Sequence, residues 1–461
     1  TTDGGKNWRD VTPPQIGAWW KISLMDAGHF DAKTAYAAVN TIRIDDLRPH
    51  IYRTHDGGKT WQEIVRGIPA DENVNVVRED PQRRGLLFAG TERGVYFSFD
   101  DGDHWQSLRL NLPATSVRDL IVKDDDLCIG THGRGFWILD NITPLRQLQP
   151  DEKKSLLFKP QTTMRIRWDT NTDTPLPPDE PAGENPPEGA MIDYSLGADV
   201  SGPVTLEIKD SNGQVVRRYA STDPASPKEE ELKIPRYWVK QPRVLSNAPG
   251  LHRFFWDMHG RPLSNAEPQY PMTAVEHETA PQPTAPWMMS GDYSVSLTTG
   301  GQTFTQPLRL KMDPRVRALT ADLQKQFSLS QTLYELREKL MPIGKDYEAL
   351  AAALAGATGS TGKKETQRQI AALRQNLEPL ANSVAVRAGR PLELEVLGKV
   401  TKLFSDLQQV DLAPTPQQEA AVTELQHEAE SATQRWKAIP GEISELNARL
   451  QADGLAPIKL P

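Results

Sequence analysis

The sequence predicts a multidomain protein, mainly β and then α, with 461 residues. Three observations support this prediction. A phrase containing Asp, Gly and Trp occurs three times before residue 110, eight strand-like segments follow up to residue 313, and apolar residues then recur every three or four positions. The predicted architecture is a partial β-propeller (residues 1–148), an immunoglobulin-like β-sandwich (149–313) and a C-terminal antiparallel helical bundle (314–461).

The repeated phrase has a hydroxyl residue, an Asp two positions later, a Gly two after that and a Trp three further on. Its Asp residues are 53 and 44 positions apart, a period typical of a four-stranded propeller blade. Asp accepts backbone N–H bonds, Gly adopts positive φ, and Trp is expected to bury its ring between blades. The predicted structural residues are Asp3, Gly5, Trp8, Asp56, Gly58, Trp61, Asp100, Gly102 and Trp105.

The phrase resembles the Asp-box, or bacterial neuraminidase repeat, of sialidases, sortilin-type receptors and xyloglucanase-type hydrolases. Further along, the chain resembles bacterial secreted proteins with sortilin-like or glycosyl-hydrolase-type propellers. The residues that carry this second resemblance are Gly130 to Asp140, Phe255-Trp256-Asp257, Gly291-Asp292-Tyr293 and Asp313-Pro314-Arg315. The resemblance implies a protein that is secreted, periplasmic or on the cell surface, and it implies a fold more than an activity.

The strand pattern predicts two complete blades and one incomplete blade. The complete blades are 20–26, 34–41, 51–54 and 60–65, then 74–79, 86–91, 95–99 and 104–108. The last blade has strands at 117–123, 127–131 and 136–140 and lacks a fourth, while Thr1 begins directly on the repeated phrase. Because unpaired strand edges recruit strands, we expect the N-terminal remainder of the propeller to pair with both ends, from the same precursor or a second chain.

The middle third reads as eight short strands at sandwich-like spacing. They are predicted at 155–158, 164–168, 191–196, 204–209, 215–220, 252–257, 293–298 and 306–311. Two proline-rich stretches, Asn171–Gly189 and Pro262–Pro286, are expected to be exposed loops.

The last third has four apolar stripes at helical spacing. Thr415-Pro416-Gln417-Gln418 predicts a capping box at the start of the last helix. Pro440 lies inside that stripe and is expected to kink or split the helix, and Gly356–Gly362 is expected to be a loop.

Composition excludes several classes of function. The net charge of −8 and the absence of a basic run argue against nucleic acid, and no apolar run approaches the roughly 18 residues of a membrane span. Cys128 is the single cysteine, so no disulfide within the chain is expected. The nine histidines lack metal-ligand spacing, and we expect neither a metal site nor a cofactor.

Candidate site residues lie in the turns between the second and third strands of each blade, on the face where propeller enzymes place their sites. The candidate ligand-binding residues are Arg43, Arg48, Arg93, His132 and Arg134, and the catalytic candidates are Asp45, Asp46 and Glu92. Arginines bind carboxylates or sulfates, and carboxyls act as general acids or bases. The alternative is that these residues are solvated hairpin tips, with His132 and Arg134 supporting ring closure.

Two functions remain open at this point. The first is binding or scaffolding at the cell envelope or exterior, with a carbohydrate or protein ligand. The second is a glycoside hydrolase, sialidase-like or xyloglucanase-like, whose site is completed by blades absent from this chain.

Overall fold

A computed structural model of the chain describes residues 1–149, 154–167, 188–198, 200–225, 232, 234–264, 266–271, 277, 279–358, 363–380 and 394–459. These residues form mainly β-sheets followed by a C-terminal helical region. The chain divides into two compact units. The first contains Thr1–Gln161, Met191–Asp199 and Pro249–Arg253, and the second contains Thr162–Ala190, Val200–Ala248 and Phe254–Pro461.

The first unit begins with three consecutive antiparallel sheets, each of which follows chain order. The first sheet is β1 (Lys21–Ala27), β2 (Ala35–Asn40), β3 (Ile51–Thr54) and β4 (Gln62–Glu63). The second is β5 (Val74–Glu79), β6 (Leu87–Thr91), β7 (Val95–Ser98) and β8 (Gln106–Ser107). The third has three strands, β9 (Ser116–Lys123), β10 (Asp126–His132) and β11 (Phe136–Leu139), and is followed by helix α1 (Thr143–Gln147).

The three sheets pack against one another through apolar side chains. Tyr36 and Ile51 of the first sheet share a buried cluster with Leu87 of the second, and Phe88 of the second shares another with Leu127 of the third. Each sheet therefore buries one face against its neighbour in chain order, as propeller blades do. The architecture of this region is propeller-like.

The repeated phrase forms the same turn three times. In the second copy, the backbone N–H groups of Lys59 and Thr60 donate to Asp56 Oδ1 at 2.8 and 2.9 Å, and that of Gly58 donates to Thr54 Oγ1 at 3.0 Å. The same two bonds hold Asp3 in the first copy. In the third copy, His104 N donates to Asp100 Oδ1, while Asp103 N donates to the backbone oxygen of Asp100. In the second and third copies these Asp side chains close the turns that lead into the fourth strands, β4 and β8.

The three tryptophans of the phrase differ in burial. Trp105 is 4% exposed and Trp61 is half-buried, and their Nε1 atoms donate to Ile64 O and Val11 O. Trp8 departs from the expected role as an inter-blade anchor, because it is 80% exposed. No described strand begins directly after Trp8, whereas β4 and β8 begin directly after Trp61 and Trp105. The Nε1 of Trp8 bonds locally to Gly5 O.

The eight strands predicted in the middle of the chain are present in two sheets. One has the order β12 (Leu156–Leu157), β14 (Ala190–Leu196), β17 (Gly250–Trp256). The other, in the second unit, has the order β13 (Thr163–Arg165), β19 (Gln302–Met312), β18 (Gly291–Thr299), β15 (Thr205–Lys209), β16 (Val215–Ala220). The predicted loop at 171–189 lies outside the described residues, except for its last two positions, and the loop at 262–286 is described only in part.

Four long helices complete the second unit: α2 (Thr320–Thr358), α3 (Lys364–Leu377), α4 (Glu395–Gln408) and α5 (Pro416–Ala452). Their apolar stripes form one core that includes Leu333, Tyr347, Val400 and Trp436. The loop prediction for 356–362 is wrong at 356–358, which belong to α2, and residues 359–362 are outside the described part. None of the described helices combines the length and apolarity needed to cross a membrane.

Helix α5 begins at the predicted capping box. Gln418 N donates to Thr415 Oγ1 at 3.2 Å, and Thr415 N donates to Gln418 Oε1 at 2.9 Å. Of the two outcomes expected at Pro440, a kink or a split, the split is wrong, since α5 continues through this residue. Ile439 and Ile443 are both buried, and their packing keeps the segment helical although Pro removes one backbone hydrogen bond.

Candidate functional site

The turns between the second and third strands of the three sheets lie at the end opposite the Asp-containing turns. We call the surface formed by residues 41–50, 91–94 and 131–135 the loop face. Asn73 Nδ2 donates to Thr41 Oγ1 at 3.0 Å, and Glu92 N donates to Asn73 O at 3.0 Å, so the first two turns adjoin. His132 pairs in register with Ser116 at the start of β9, which places the third turn at the same end.

The first turn holds a carboxylate clamped by an arginine. Arg48 Nε and Nη2 donate to the two oxygens of Asp46 at 3.0 and 2.7 Å. These bonds, against a smaller opposing effect of burial, hold the pKa of Asp46 far below its usual range. His50, packed on Trp20 at 4.5 Å, bonds Glu63 through Nδ1 at 2.6 Å. Asp46 is therefore a fixed anion that is already paired.

A chain of polar side chains runs across the three sheets from Asn40 to Arg118. Asn40 Nδ2 donates to Asn75 Oδ1 at 2.7 Å, and Asn75 Nδ2 donates to Glu92 Oε1 and to Val117 O, each at 3.0 Å. Arg118 Nη1 donates to the same Glu92 oxygen at 3.1 Å. Glu92 thus acts as a hydrogen-bond acceptor that ties the second sheet to the third.

Arg93 is also engaged, because its Nη1 donates to Asp71 Oδ2 at 2.6 Å. By contrast, the side chains of Arg43, Asp45, His132 and Arg134 have no hydrogen-bond or ion-pair partner among the residues that the structure describes. Asp45 is held in a left-handed backbone conformation, with φ of 60°, after a short 3-10 helix at Ile42–Ile44. All four residues are exposed.

This arrangement presents exposed cations around carboxylates that are mostly paired. General acid catalysis needs a carboxyl that holds a proton, and an arginine clamp such as that on Asp46 favours the ionised form instead. The loop face is therefore chemically suited to bind anionic or polar groups. Within the described ranges, no cluster of three or more His, Cys, Asp or Glu side chains has the geometry of a metal site.

The sequence predicted the turns, but it did not predict the residues that form hydrogen bonds with the turn residues. Asp71, Asn73, Asn75 and Arg118 lie on neighbouring segments, and each bonds a turn residue. Asn75 carried a usable signal, because it is a buried polar residue inside the apolar strand β5. A side chain at such a position needs hydrogen-bond partners on adjacent elements.

No protein-family model matches the chain, and no curated protein matches it. Among solved structures, the GH74 xyloglucanase from Xanthomonas campestris is 13% identical, with 68% of this chain and 52% of that chain covered and a TM-score of 0.25. An ancestral GH74 enzyme is 13% identical over 62% of this chain and 35% of its own, with a TM-score of 0.18.

YCF48 bound to a D1 peptide is 18% identical over 30% of this chain and 43% of its own, with a TM-score of 0.24. The chain therefore spans about half or less of the length of these proteins. The propeller-like architecture rests on the strand pairing and sheet packing described above, and not on these matches.

Proposed function

We propose that the chain acts in binding or scaffolding, as part of a secreted or cell-envelope propeller protein whose loop face takes a glycan or protein ligand. The observation that carries this proposal is the pairing of the candidate carboxylates: Asp46 with Arg48, and Glu92 with Arg118. Paired carboxylates hold a surface in shape and leave Arg43 and Arg134 free to contact a ligand. Arginine suits this role because its planar fork matches carboxylate and sulfate groups.

The finer architecture belongs to the same proposal. It comprises Asp-box blades of sortilin-like type in residues 1–148, an immunoglobulin-like sandwich in 149–313 and a helical bundle in 314–461. Antiparallel pairing of β15, β16, β18 and β19 supports the sandwich, although β13 joins the same sheet in parallel.

We further propose a partner that continues the propeller. The side chains of Ile121, Cys128, Phe136 and Ile138 share one face of the third sheet, because Cys128 is opposite both Ile121 and Ile138 and Gly130 is opposite Phe136. Phe136 is 91% exposed and Ile138 59% exposed, whereas the other face packs on the second sheet. Since the first three sheets stack through such faces, another sheet of this kind, from the same precursor or a second chain, is the fitting occupant.

The outward faces of the first and third sheets differ in how far they are covered. The corresponding face of the first sheet, with Val39 and Tyr52, is covered by Ile16, Trp20 and Trp61. The exposed apolar face of the third sheet, which we call the outer face, is therefore the stronger candidate for a partner sheet.

A glycoside hydrolase remains the alternative, and Asp45 is the observation that favours it. It is exposed and lacks a side-chain partner among the described residues, so it is available as one of the two carboxyls that such an enzyme needs. The second carboxyl would have to come from residues beyond the described loop face.

One experiment separates the two functions. The full chain and its Arg43→Ala/Arg134→Ala variant are applied to glycan and peptide arrays, and both are incubated with fluorogenic glycosides. Binding that the variant loses, without turnover, supports the proposal. The matched control is Arg309→Ala, which removes an exposed arginine paired with Asp292 in the second unit. Turnover that Asp45→Asn abolishes would establish the hydrolase instead.

A further inference from the structure

A cavity of about 360 Å³ lies in the second unit, between helices α2 and α4 and described residues around His259, Gln269 and Trp287. Its apolar walls include Trp287, Met341, Leu397 and Phe404. Its polar lining contains Arg337 together with neutral amide and hydroxyl side chains, among them Gln269, Gln282, Thr401, Ser405 and Gln409. The volume falls in the range of small-molecule sites, which combine apolar walls with polar groups that orient the ligand. This cavity has no part in the loop face.

Arg337 is the unusual member of the lining. Its residue is 8% exposed, and its guanidinium lies over the Phe404 ring, 4.6 Å from the centroid. Nη1 donates to Thr284 O at 2.9 Å, and Nε is buried without a hydrogen-bond partner in the described part of the chain. A guanidinium has five N–H donors, and the described residues supply one acceptor, Thr284 O, so the group can bind a further acceptor.

No carboxylate compensates this charge within the described residues, since Arg337 takes part in none of their ion pairs. Burial lowers the pKa of Arg337 to about 10, which leaves it charged at neutral pH. The one carboxylate in the described lining, Glu267, belongs to an exposed residue. Burying a cation without an anion is unfavourable, and a bound anion would remove that penalty.

The wall opposite the helices is held in place. His259 packs on Trp287 with ring centroids 4.1 Å apart, and burial lowers the pKa of His259 to about 4, so this ring adds no charge at neutral pH. Gln408 accepts a hydrogen bond from Trp287 N at 2.8 Å and donates to Ser330 Oγ at 2.7 Å. The aromatic wall is thus fixed before any ligand arrives, which lowers the entropic cost of binding.

We propose that this cavity binds a small organic carboxylate with an apolar body, its carboxylate on Arg337 and its body between Trp287 and Phe404. A carboxylate fits better than a phosphate, because the described lining offers one guanidinium, which matches one planar monoanion, beside neutral amide and hydroxyl groups and the aromatic walls. The site is independent of the proposed loop-face function.

The test uses the full chain and two probes of equal shape, 3-phenylpropionate and its neutral amide, with binding measured by calorimetry and saturation-transfer NMR. The carboxylate should bind about ten- to a hundredfold more tightly than the amide, as expected for charge-assisted hydrogen bonds. Arg337→Gln should remove that preference. Arg309→Ala, an exposed arginine of the same unit, should keep it.

A second variant covers the case in which Arg337→Gln does not fold. Met341→Trp keeps the guanidinium and fills the cavity from its wall, so it should abolish binding of 3-phenylpropionate. Equal affinity of the wild-type chain for the two probes, or no binding of either, overturns the proposal. A preference for the carboxylate that persists in a folded Arg337→Gln, or carboxylate binding that persists in Met341→Trp, also overturns it.

Discussion

Arg53 of the first sheet and Asp101 of the second are joined by an ion pair, with Nη1 and Oδ2 3.0 Å apart. Asp101 belongs to the third copy of the repeated phrase, where Gly102 has φ of 92°. Tyr36 and His55 also bond this carboxylate, at 2.5 and 2.8 Å. Asp101, at a variable position of the phrase, therefore links two neighbouring sheets. The recurring aspartates Asp3, Asp56 and Asp100 instead close their own turns.

Replacement of Arg53 tests this link. Arg53 is 8% exposed, so Arg53→Met leaves Asp101 without its main cation in a partly buried setting. We expect the free energy of unfolding to fall by roughly 3 kcal/mol. This is the low end of the range for breaking a buried ion pair, because Asp101 keeps its other partners. Urea unfolding followed by tryptophan fluorescence measures it.

The matched control is Arg93→Met, which breaks the exposed ion pair with Asp71. Exposed pairs contribute about 0–1 kcal/mol, so this variant should unfold close to wild type. Similar losses in the two variants would contradict a special role for the Arg53 link.

The three tryptophans of the phrase should contribute unequally to the stability of the fold. Trp105→Ala removes a side chain that is 4% exposed and should lower stability by about 3–5 kcal/mol. Trp61→Ala should have a smaller effect, and Trp8→Ala, at 80% exposure, should stay within about 0.5 kcal/mol of wild type. Thermal unfolding of the three variants gives the order, and an equal effect of Trp8→Ala and Trp105→Ala would disprove it.

Local patterns predicted most of the elements. The capping box at Thr415 and the helix stripe through Val422 and Leu446 depend on residues three or four positions apart, and both are present. Strands in all three blade-like sheets followed from β-forming residues bounded by turn residues. These features are decided by neighbours in sequence, so the sequence alone contained them.

Burial and pairing were harder to predict, because they depend on distant segments. Trp8 has the same local phrase as Trp105 yet is exposed, with no described strand directly after it. The sequence suggested Glu92 as a catalytic carboxylate, but its side chain accepts a hydrogen bond from Arg118, which is 26 positions away in the sequence. Arg337 lies among apolar residues of α2, where sequence reasoning would assign an arginine to the solvated face.

Acid should weaken the turns of the repeated phrase. The backbone N–H of Thr60, with further bonds from Thr60, Thr54 and Lys59, lowers the pKa of Asp56 from 3.8 to about 2. A folded-state pKa below the unfolded value means that the stabilisation is present above about pH 4 and is lost as pH falls toward 2. Asp3, whose pKa is also lowered to about 2, behaves in the same way.

Asp56→Asn removes the titrating group while keeping an oxygen that accepts hydrogen bonds. Its melting temperature should therefore fall less steeply than that of wild type between pH 4 and pH 2. Asp45→Asn, on an exposed residue without a described side-chain partner, is the control and should follow wild type. Parallel curves for wild type and Asp56→Asn would show that the turn does not depend on the charged carboxylate.

The outer face should be the place where a partner sheet docks. Phe136→Asp and Ile138→Lys replace side chains that are 91% and 59% exposed, so the chain should fold and melt as wild type does. Each apolar side chain contributes about 1.5–3 kcal/mol when fully buried, so each variant should weaken association about ten- to a hundredfold. Co-purification from the native source, followed by sedimentation velocity, measures this association.

Apolar packing and backbone pairing resist salt, so the complex should persist at high ionic strength, unlike one held by exposed charges. An interface that completes the sheet stack should exceed about 2,000 Å², as in obligate complexes. Leu110→Asp removes another exposed apolar side chain, 72% exposed and outside the third sheet, and should leave the complex intact. A wild-type chain that purifies alone and monodisperse, or a Phe136→Asp chain that keeps its partner, would rule out docking on this face.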